Sequence, residues 1–271
     1  MTQQQRREYL ITYLLNENEN TAQYFELVKD ENGEYLIPED EETQKNLLRA
    51  LMNVREPDLI SSDFLQIQDE YLQERNKERG FTDIEDLTPV NSESLYLWKG
   101  DITTLKVDAI VNAANSALLG CFAPLHSCID NCIHTFAGIQ LRLECNEIMQ
   151  KQQHAEGTGL CKITKAYNLP CKYVLHTVGP IISSFVSPQQ KILLANCYKN
   201  CLETAAQNNC HSVAFCCIST GVFHFPPQMA AEIAVKTVRE WLSKNQDKSV
   251  KRVVFNVFSD KDLNIYENIL K

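Results

Sequence analysis

Apolar residues in the first third of the chain recur at the spacing of one helix face. Three clusters follow i, i+3, i+4 spacing, so each predicted helix has one side to bury. Between the first two clusters lies ENGEYLIPEDEE, whose Asn-Gly pair and proline predict a connector. We interpret residues 1–90 as a small helical extension that packs on the rest of the chain or docks a partner. The clusters are Tyr9, Leu10, Tyr13 and Leu14, then Leu47, Leu48, Leu51 and Met52, then Phe64, Ile67 and Tyr71.

From about residue 92 the pattern changes to short β-branched or apolar runs separated by segments of helical length. This alternation predicts an α/β layered domain over residues 91–271 with a largely parallel central sheet. The predicted strands are 94–98, 109–112, 173–178, 213–218 and 253–258. The predicted helices are 127–150, 188–208, 227–244 and 262–270.

The formal net charge of −9 is unevenly spread along the 271 residues. Residues 1–90 hold 21 acidic and 9 basic side chains, a net charge of −12, and the remainder has a net charge of +3. Binding along a nucleic-acid backbone needs a basic face, so we expect no nucleic-acid partner. One diphosphate ligand in the second part is compatible with this distribution.

Cysteine content and hydropathy restrict the compartment. The 11 cysteines are too few for a disulfide-stapled secreted chain, and in a reducing compartment they are thiols or metal ligands. No apolar run reaches the length of about 18 residues that a membrane helix needs. The first twenty residues contain only the five-residue apolar run ITYLL, unlike a secretory signal. We expect a cytoplasmic protein that binds no membrane. Four cysteines lie in apolar segments and are predicted core residues: Cys197, Cys201, Cys216 and Cys217.

Small, amide and hydroxyl residues follow four of the predicted strands. They are residues 100–103 (GDIT), 112–115 (NAAN), 179–180 (GP) and 219–223 (STGVF). Ligands of such sheets bind outside the carboxyl ends of the strands, where loops and helix N-termini present unpaired N–H groups. A carboxylate can accept from an exocyclic amine, Asn can donate to and accept from a ribose hydroxyl, and glycine lets backbone N–H groups approach phosphate. The sequence therefore predicts a binding edge.

Each of these residues also has an ordinary structural interpretation. Asp101 can serve as a turn or cap residue, Asn115 can form an Asx-turn, and Gly221 can be a hinge with positive φ. As a set, however, they favour a ligand site.

A second signal lies in the loop after the second predicted strand. Cys121, His126 and Cys128 offer S, N and S donors within eight residues, a set that suits Zn²⁺. No comparable fourth ligand lies nearby, which is typical of a catalytic site with an open position. A structural zinc site and two core cysteines beside a surface histidine are the alternatives. Asp130 follows two residues after Cys128 and is either a functional carboxylate or a simple first-turn acid of the next helix.

Other histidines and cysteines give weaker signals. Cys132 and His134 lie one to two helical turns past Cys128 and are predicted to point away from the metal loop. His176 lies in an apolar strand and is predicted to be a hydrogen-bonded core residue. His224 lies beside the 219–223 loop and either contacts a ligand or packs.

Residues 92–271 resemble a macrodomain. The motifs that carry the resemblance are GDIT, DAIVNAAN, IDNCIH, LECNEI, TGLCKITKAYNLPCKYVLHTVGP and AFCCISTGVFHFP. The resemblance implies a three-layer α/β/α sandwich with a mixed, largely parallel sheet that binds ADP-ribose. It assigns Asp101 and Ile102 to the adenine end, and Asn112 and Asn115 to the distal ribose and its surroundings. It assigns the diphosphate to Ser219, Thr220, Gly221, Val222 and Phe223.

The chain departs from the common macrodomain pattern at residues 120–128, where GCFAPLHSC replaces a run of glycines. In this it is similar to the zinc-dependent macrodomains that are encoded beside ADP-ribosylating sirtuins and also carry a helical N-terminal extension. The resemblance implies hydrolytic removal of ADP-ribose from a modified protein side chain, with a sirtuin-type transferase as a possible partner system.

In that hypothesis Zn²⁺ would act as a Lewis acid on a ribose hydroxyl or on water. Asp130 would position or deprotonate that group, and Asn115 would orient the distal ribose. Two alternatives use the same binding residues: a non-catalytic ADP-ribose reader and an O-acyl-ADP-ribose deacylase.

Overall fold

The computed structural model describes residues 1–17, 25, 27–90 and 94–271. Two units of unequal size make up the chain, a helical N-terminal extension and an α/β unit. No helix within these described ranges is both long and apolar enough to cross a membrane.

In the described residues the N-terminal extension contains α1 (Gln3–Glu17), α2 (Glu41–Val54) and α3 (Ser62–Glu78). Asp40 and Ser61 cap α2 and α3 by accepting hydrogen bonds from backbone N–H groups in the first turn of each helix. The predicted apolar clusters form a separate small core between the three helices. Ile139 of the α/β unit also enters this core, so the extension packs against that unit as predicted.

A six-stranded mixed sheet forms the centre of the α/β unit, with the strand order β2-β8-β7-β4-β6-β5. All neighbours pair in parallel except β5, which is antiparallel to β6. A short parallel pair, β1 (Thr82–Asp83) with β3 (Leu105–Lys106), lies apart from it. The strands of the large sheet are β2 (Leu95–Lys99), β4 (Ala109–Ala114), β5 (Cys161–Lys165), β6 (Tyr173–Val178), β7 (Ser212–Phe215) and β8 (Arg252–Val257).

Helices cover both faces of the sheet and give the predicted three-layer α/β/α architecture. The N-terminal extension packs on α4 through α2 and α3. The remaining helices are α4 (Ile129–Ala137), α5 (Ile139–Gln152), α6 (Pro188–Gln207), α7 (Pro227–Lys244) and α8 (Asp260–Leu270).

The predicted helix over 127–150 is wrong in one respect, because Gly138 divides it into α4 and α5. Gly138 has φ +99°, a conformation that side chains other than hydrogen disfavour. An added Cβ would lie 2.7 Å from the amide of Gln68 in the extension. The break therefore lets the extension approach the helix junction closely.

Two strand predictions also need correction. Asn112 does not follow β4 but lies inside it, since the strand continues to Ala114. The antiparallel strand β5 was not predicted. The segment that begins at Thr82 lies within the predicted extension, residues 1–90, but pairs with β3 and buries Ile84 in the main core.

Candidate functional site

The carboxyl ends of the five parallel strands lie along one edge of the sheet. In strand order, the loops at this edge begin at residues 100, 258, 216, 115 and 179. The chain turns in opposite directions after β4 and after β7, which are neighbours, so this edge contains a topological switch point. Open α/β sheets bind ligands at such points. All four predicted binding segments lie on this edge.

Asp101 lies at the β2 end of the edge and does cap a short helical turn. Its Oδ1 accepts from the Thr103 backbone N–H at 2.9 Å and from the Thr103 hydroxyl at 2.6 Å. Its Oδ2 accepts from Arg79 of the extension at 2.5 Å. The side chain is still 38% exposed, so one edge of the carboxylate remains open to a ligand. Ile102 beside it is a core residue, 1% exposed, and can offer a ligand only its backbone.

The 219–223 loop follows β7 and contains an unusual backbone. Ser219 has φ +66°, and its buried hydroxyl has no hydrogen-bond partner among the residues that the structure describes. Gly179, from the loop after β6, lies directly against it, and a Cβ there would be 1.9 Å from the Ser219 hydroxyl oxygen. Gly221 does not have positive φ, so the hinge interpretation of that residue is wrong. Thr220 is partly buried, and the Phe223 carbonyl accepts from Ile182 at 2.9 Å, which ties this loop to its neighbour.

Asn115, at the carboxyl end of β4, is half-buried and has both side-chain functions in use. Its Oδ1 accepts from the Ala117 N–H at 2.9 Å, which is the Asx-turn, and its Nδ2 donates to the Gly120 carbonyl at 3.0 Å. The same Nδ2 lies 3.3 Å from Oδ2 of Asp130. Asn115 thus connects the strand end to the first residue of the predicted metal loop and to Asp130.

Asp130, in the first turn of α4, is 4% exposed and points inward. Besides Asn115, its carboxylate accepts from Asn112 Nδ2 at 2.7 Å and lies 3.6 Å from His134 Nε2. Burial raises the pKa of this carboxyl to about 6, against the lowering effect of the Asn112 hydrogen bond. Asn112 is fully buried, so a ligand at this edge cannot contact its side chain directly.

A buried histidine pair lies beneath this carboxylate. His176 Nδ1 lies 3.1 Å from Asn112 Nδ2, and its Nε2 lies 2.9 Å from the Thr164 hydroxyl. Both nitrogens therefore have protein partners, as predicted for a core residue. His134 and Cys145 complete a buried group of possible donors, but the hydrogen bonds of His176 account for its lone pair and proton. Burial lowers the pKa values of both histidines, so the rings are neutral.

The three predicted metal ligands come together. The donor atoms of Cys121, His126 and Cys128 all lie within 4.8 Å of one another. Cys121 Sγ lies 3.7 Å from His126 Nδ1, close to the S···N separation of about 3.6 Å in tetrahedral zinc sites. Cys132 and His134 do not join the group, as predicted, and no fourth His, Cys, Asp or Glu of the described residues does so.

Cys128 is also the N-cap of α4, and its sulfur accepts from the Asn131 N–H at 3.4 Å. Without a cation, burial and the neighbouring Cys121 raise the pKa of its thiol to about 12. A coordinated divalent cation deprotonates such thiols outright. Two sulfurs and one imidazole on one loop, with one sulfur at a helix N-terminus, fit a zinc ion and leave room for a further ligand.

Phe258 is not among the predicted site residues but lies at the same edge of the sheet. This residue follows β8, whose last residue Val257 is in register with Lys99 at the end of β2, and it is 79% exposed. It therefore lies beside the Gly100–Asp101 turn, where the Gly100 N–H donates to the Val257 carbonyl at 3.1 Å. An exposed aromatic ring beside an open carboxylate can stack on a flat heterocycle. The signal available in the sequence was an aromatic residue at the carboxyl end of the predicted strand 253–258.

Fold and site together define an α/β/α protein whose candidate binding residues lie along the carboxyl edge of a largely parallel sheet. The family model described as Macro domain matches residues 111–234. A protein-ADP-ribose hydrolase of Treponema medium is 57% identical over 273 residues, covering 100% of each chain. Another, from Staphylococcus aureus (strain MSSA476), is 50% identical and covers 88% of this chain and 89% of its own.

Among solved structures, the Trypanosoma brucei macrodomain in complex with ADP-ribose aligns with a TM-score of 0.64 and 30% identity. The alignment covers 82% of this chain and 95% of that chain. The chain belongs to the macrodomain family.

Proposed function

We propose that this chain is a zinc-dependent hydrolase that removes ADP-ribose from modified protein side chains. The observation that carries the proposal is the convergence of Cys121, His126 and Cys128 next to Asn115 and Asp130. The names of both bacterial relatives support the hydrolytic activity. The chemistry of the S, N, S donor set supports the metal.

ADP-ribose extends along the strand edge in this proposal. The adenine lies at the β2 and β8 end, where Phe258 offers a stacking face and Asp101 an acceptor. The diphosphate lies on the 219–223 loop, where the backbone N–H groups of the exposed residues Gly221 and Val222 can donate to it. The distal ribose then lies at Asn115, beside the metal loop.

The residues around the distal ribose divide the work. When bound, zinc supplies Lewis-acid chemistry at the scissile bond. Asn115 lies at the carboxyl end of β4 with its amide fixed by Gly120, and it is the candidate to orient the ribose. Asp130 accepts from Asn115 and is the candidate to position or deprotonate the nucleophile.

The test combines metal content with activity. Purified wild-type protein should contain about one zinc per chain, and hydrolysis of ADP-ribosylated protein should stop on chelation and recover when zinc is restored. Cys128→Ala should lose zinc and activity while the fold persists, because a catalytic site contributes less folding energy than a structural one. Cys132→Ala is the matched control, since Cys132 lies on the same helix outside the donor group.

Each competing function predicts a different outcome. Full activity without metal refutes zinc dependence, and unfolding on chelation indicates a structural zinc. The two substrates to compare are ADP-ribosylated protein and O-acyl-ADP-ribose. A protein that binds ADP-ribose but hydrolyses neither of them is a reader. Faster hydrolysis of O-acyl-ADP-ribose than of ADP-ribosylated protein indicates the deacylase. A sirtuin-type ADP-ribosyltransferase as the partner system stays a prediction, as does the cytoplasmic location.

A further inference from the structure

The metal loop holds a backbone conformation that its sequence does not favour. The His126 N–H donates to the Ala123 carbonyl at 3.2 Å, which closes a tight turn with Pro124 and Leu125 in the middle. Leu125 has φ +57°, a region that glycine occupies readily and a bulky side chain does not. Such strain persists only where the surroundings fix it.

Asn53, on helix α2 of the extension, supplies part of that support. It is 1% exposed, and its Oδ1 accepts from the Leu125 N–H at 3.1 Å, although the two residues are 72 positions apart. Its Nδ2 donates to the Thr135 hydroxyl on α4 at 3.1 Å, which fixes the amide orientation. The strained residue is therefore anchored from outside the loop and outside the α/β unit.

Arg49, one turn earlier on α2, supports the loop at its metal ligand. Its Nη2 donates to the backbone carbonyl of His126 at 2.8 Å and to Asn131 Oδ1 at 2.9 Å. The side-chain Nδ2 of Asn131 in turn donates to the backbone carbonyls of Cys121 and Ala123, at 3.3 and 3.0 Å. One guanidinium thus links two of the three donor residues.

We propose that Asn53 and Arg49 of the helical extension are positioning residues of the metal centre, which hold the loop 120–128 so that its three donors converge. The inference rests on the zinc site proposed above. Partners beyond the ligands that orient a metal site change its metal affinity about 10–100-fold when they are removed. On this proposal the extension contributes to metal binding and does not only pack against the α/β unit.

The experiment measures zinc affinity by competition with a chromophoric chelator, on full-length protein. Asn53→Ala and Arg49→Met should each raise the zinc dissociation constant about 10–100-fold. Gln68→Ala is the matched control, because Gln68 is an equally buried amide of the extension that accepts from the Ile139 N–H at 3.0 Å, away from the loop. It should leave zinc affinity within about twofold of wild type.

Hydrogen exchange of metal-free protein gives a second readout. The Leu125 amide should exchange about tenfold faster in Asn53→Ala than in wild type and be unchanged in Gln68→Ala. If Asn53→Ala and Arg49→Met both bind zinc as tightly as wild type, the positioning role is overturned. It is also overturned if Gln68→Ala loses as much zinc affinity as these two variants. A wild-type protein without zinc affinity overturns the proposed metal centre as well, so the two failures are distinguishable.

Discussion

Replacing Asp130 by alanine tests whether its carboxylate takes part in catalysis or only stabilises the first turn of α4. The substitution removes one acceptor of Asn112 Nδ2, at 2.7 Å, and one acceptor of Asn115 Nδ2, at 3.3 Å. A buried donor that loses its partner costs about 1–3 kcal/mol, and losing a first-turn acid costs about 0.3–1 kcal/mol. Relief from burying a carboxylate offsets part of this. We expect melting to fall by a few degrees, at roughly 2–4 °C per kcal/mol.

The expected effect on turnover is much larger than this loss of stability. If Asp130 positions or deprotonates the nucleophile, turnover of ADP-ribosylated protein falls by roughly 10²–10⁴. Zinc content and ADP-ribose affinity change little, because neither the metal donors nor the adenine end includes Asp130. Single-turnover hydrolysis, elemental analysis and calorimetry measure the three quantities.

Asp130→Asn is the companion variant. It keeps the volume and one acceptor oxygen but cannot take up a proton as a base. Partial recovery of turnover relative to alanine indicates that orientation of Asn115 is the main contribution, and equal loss in both variants indicates proton transfer. Turnover near wild type in Asp130→Ala refutes both orientation of Asn115 and proton transfer as roles of Asp130. The carboxylate then only stabilises the first turn of α4.

Three further predictions follow from single contacts. Phe258→Ala should weaken ADP-ribose binding in calorimetry by about 1–3 kcal/mol, the usual value of stacking on an aromatic ring, and unchanged affinity would place the adenine elsewhere. Gly179→Ala should lower the melting temperature, since its Cβ meets the Ser219 hydroxyl at 1.9 Å, whereas Gly221→Ala, with no atom within 4 Å, should leave it unchanged. Burial lowers the pKa of His176 from 6.5 to about 3, so its contribution to stability is present above pH 6.5 and is lost as pH falls towards 3. His176→Gln should therefore flatten the decline of unfolding free energy over that window in urea titrations.

The sequence predicted features that depend on neighbouring residues in the chain. The metal donors could be recognised because Cys121, His126 and Cys128 lie within one loop, where spacing largely determines whether they meet. The parallel sheet could be predicted because its strands are buried on both faces. Strand β5 was missed because only Thr164 of its five residues is fully buried, which leaves no clear apolar run.

Features that depend on distant partners could not be read in the same way. Gly138 interrupts the predicted helix with a positive φ, which the hydrophobic periodicity does not reveal. A glycine is needed there because Gln68 of another helix lies too close for a Cβ. Asn53 and Arg79 looked like ordinary polar positions of amphipathic helices. Only the fold shows that Asn53 hydrogen-bonds to Leu125 in the metal loop and that Arg79 hydrogen-bonds to Asp101 after β2.

The contact between Asn53 and Leu125 explains how the bulky loop 120–128 keeps its conformation. A glycine-rich loop reaches a ligand by its own conformational freedom, whereas Pro124 and Leu125 restrict the backbone and need an external anchor. The extension supplies one through Asn53, and through Arg79 it also fixes Asp101. In the binding mode proposed above, ADP-ribose contacts residues at both of these places. Its binding should therefore stabilise the packing of the extension on the α/β unit by mass action, if the bound state depends on the Asn53 and Arg79 contacts.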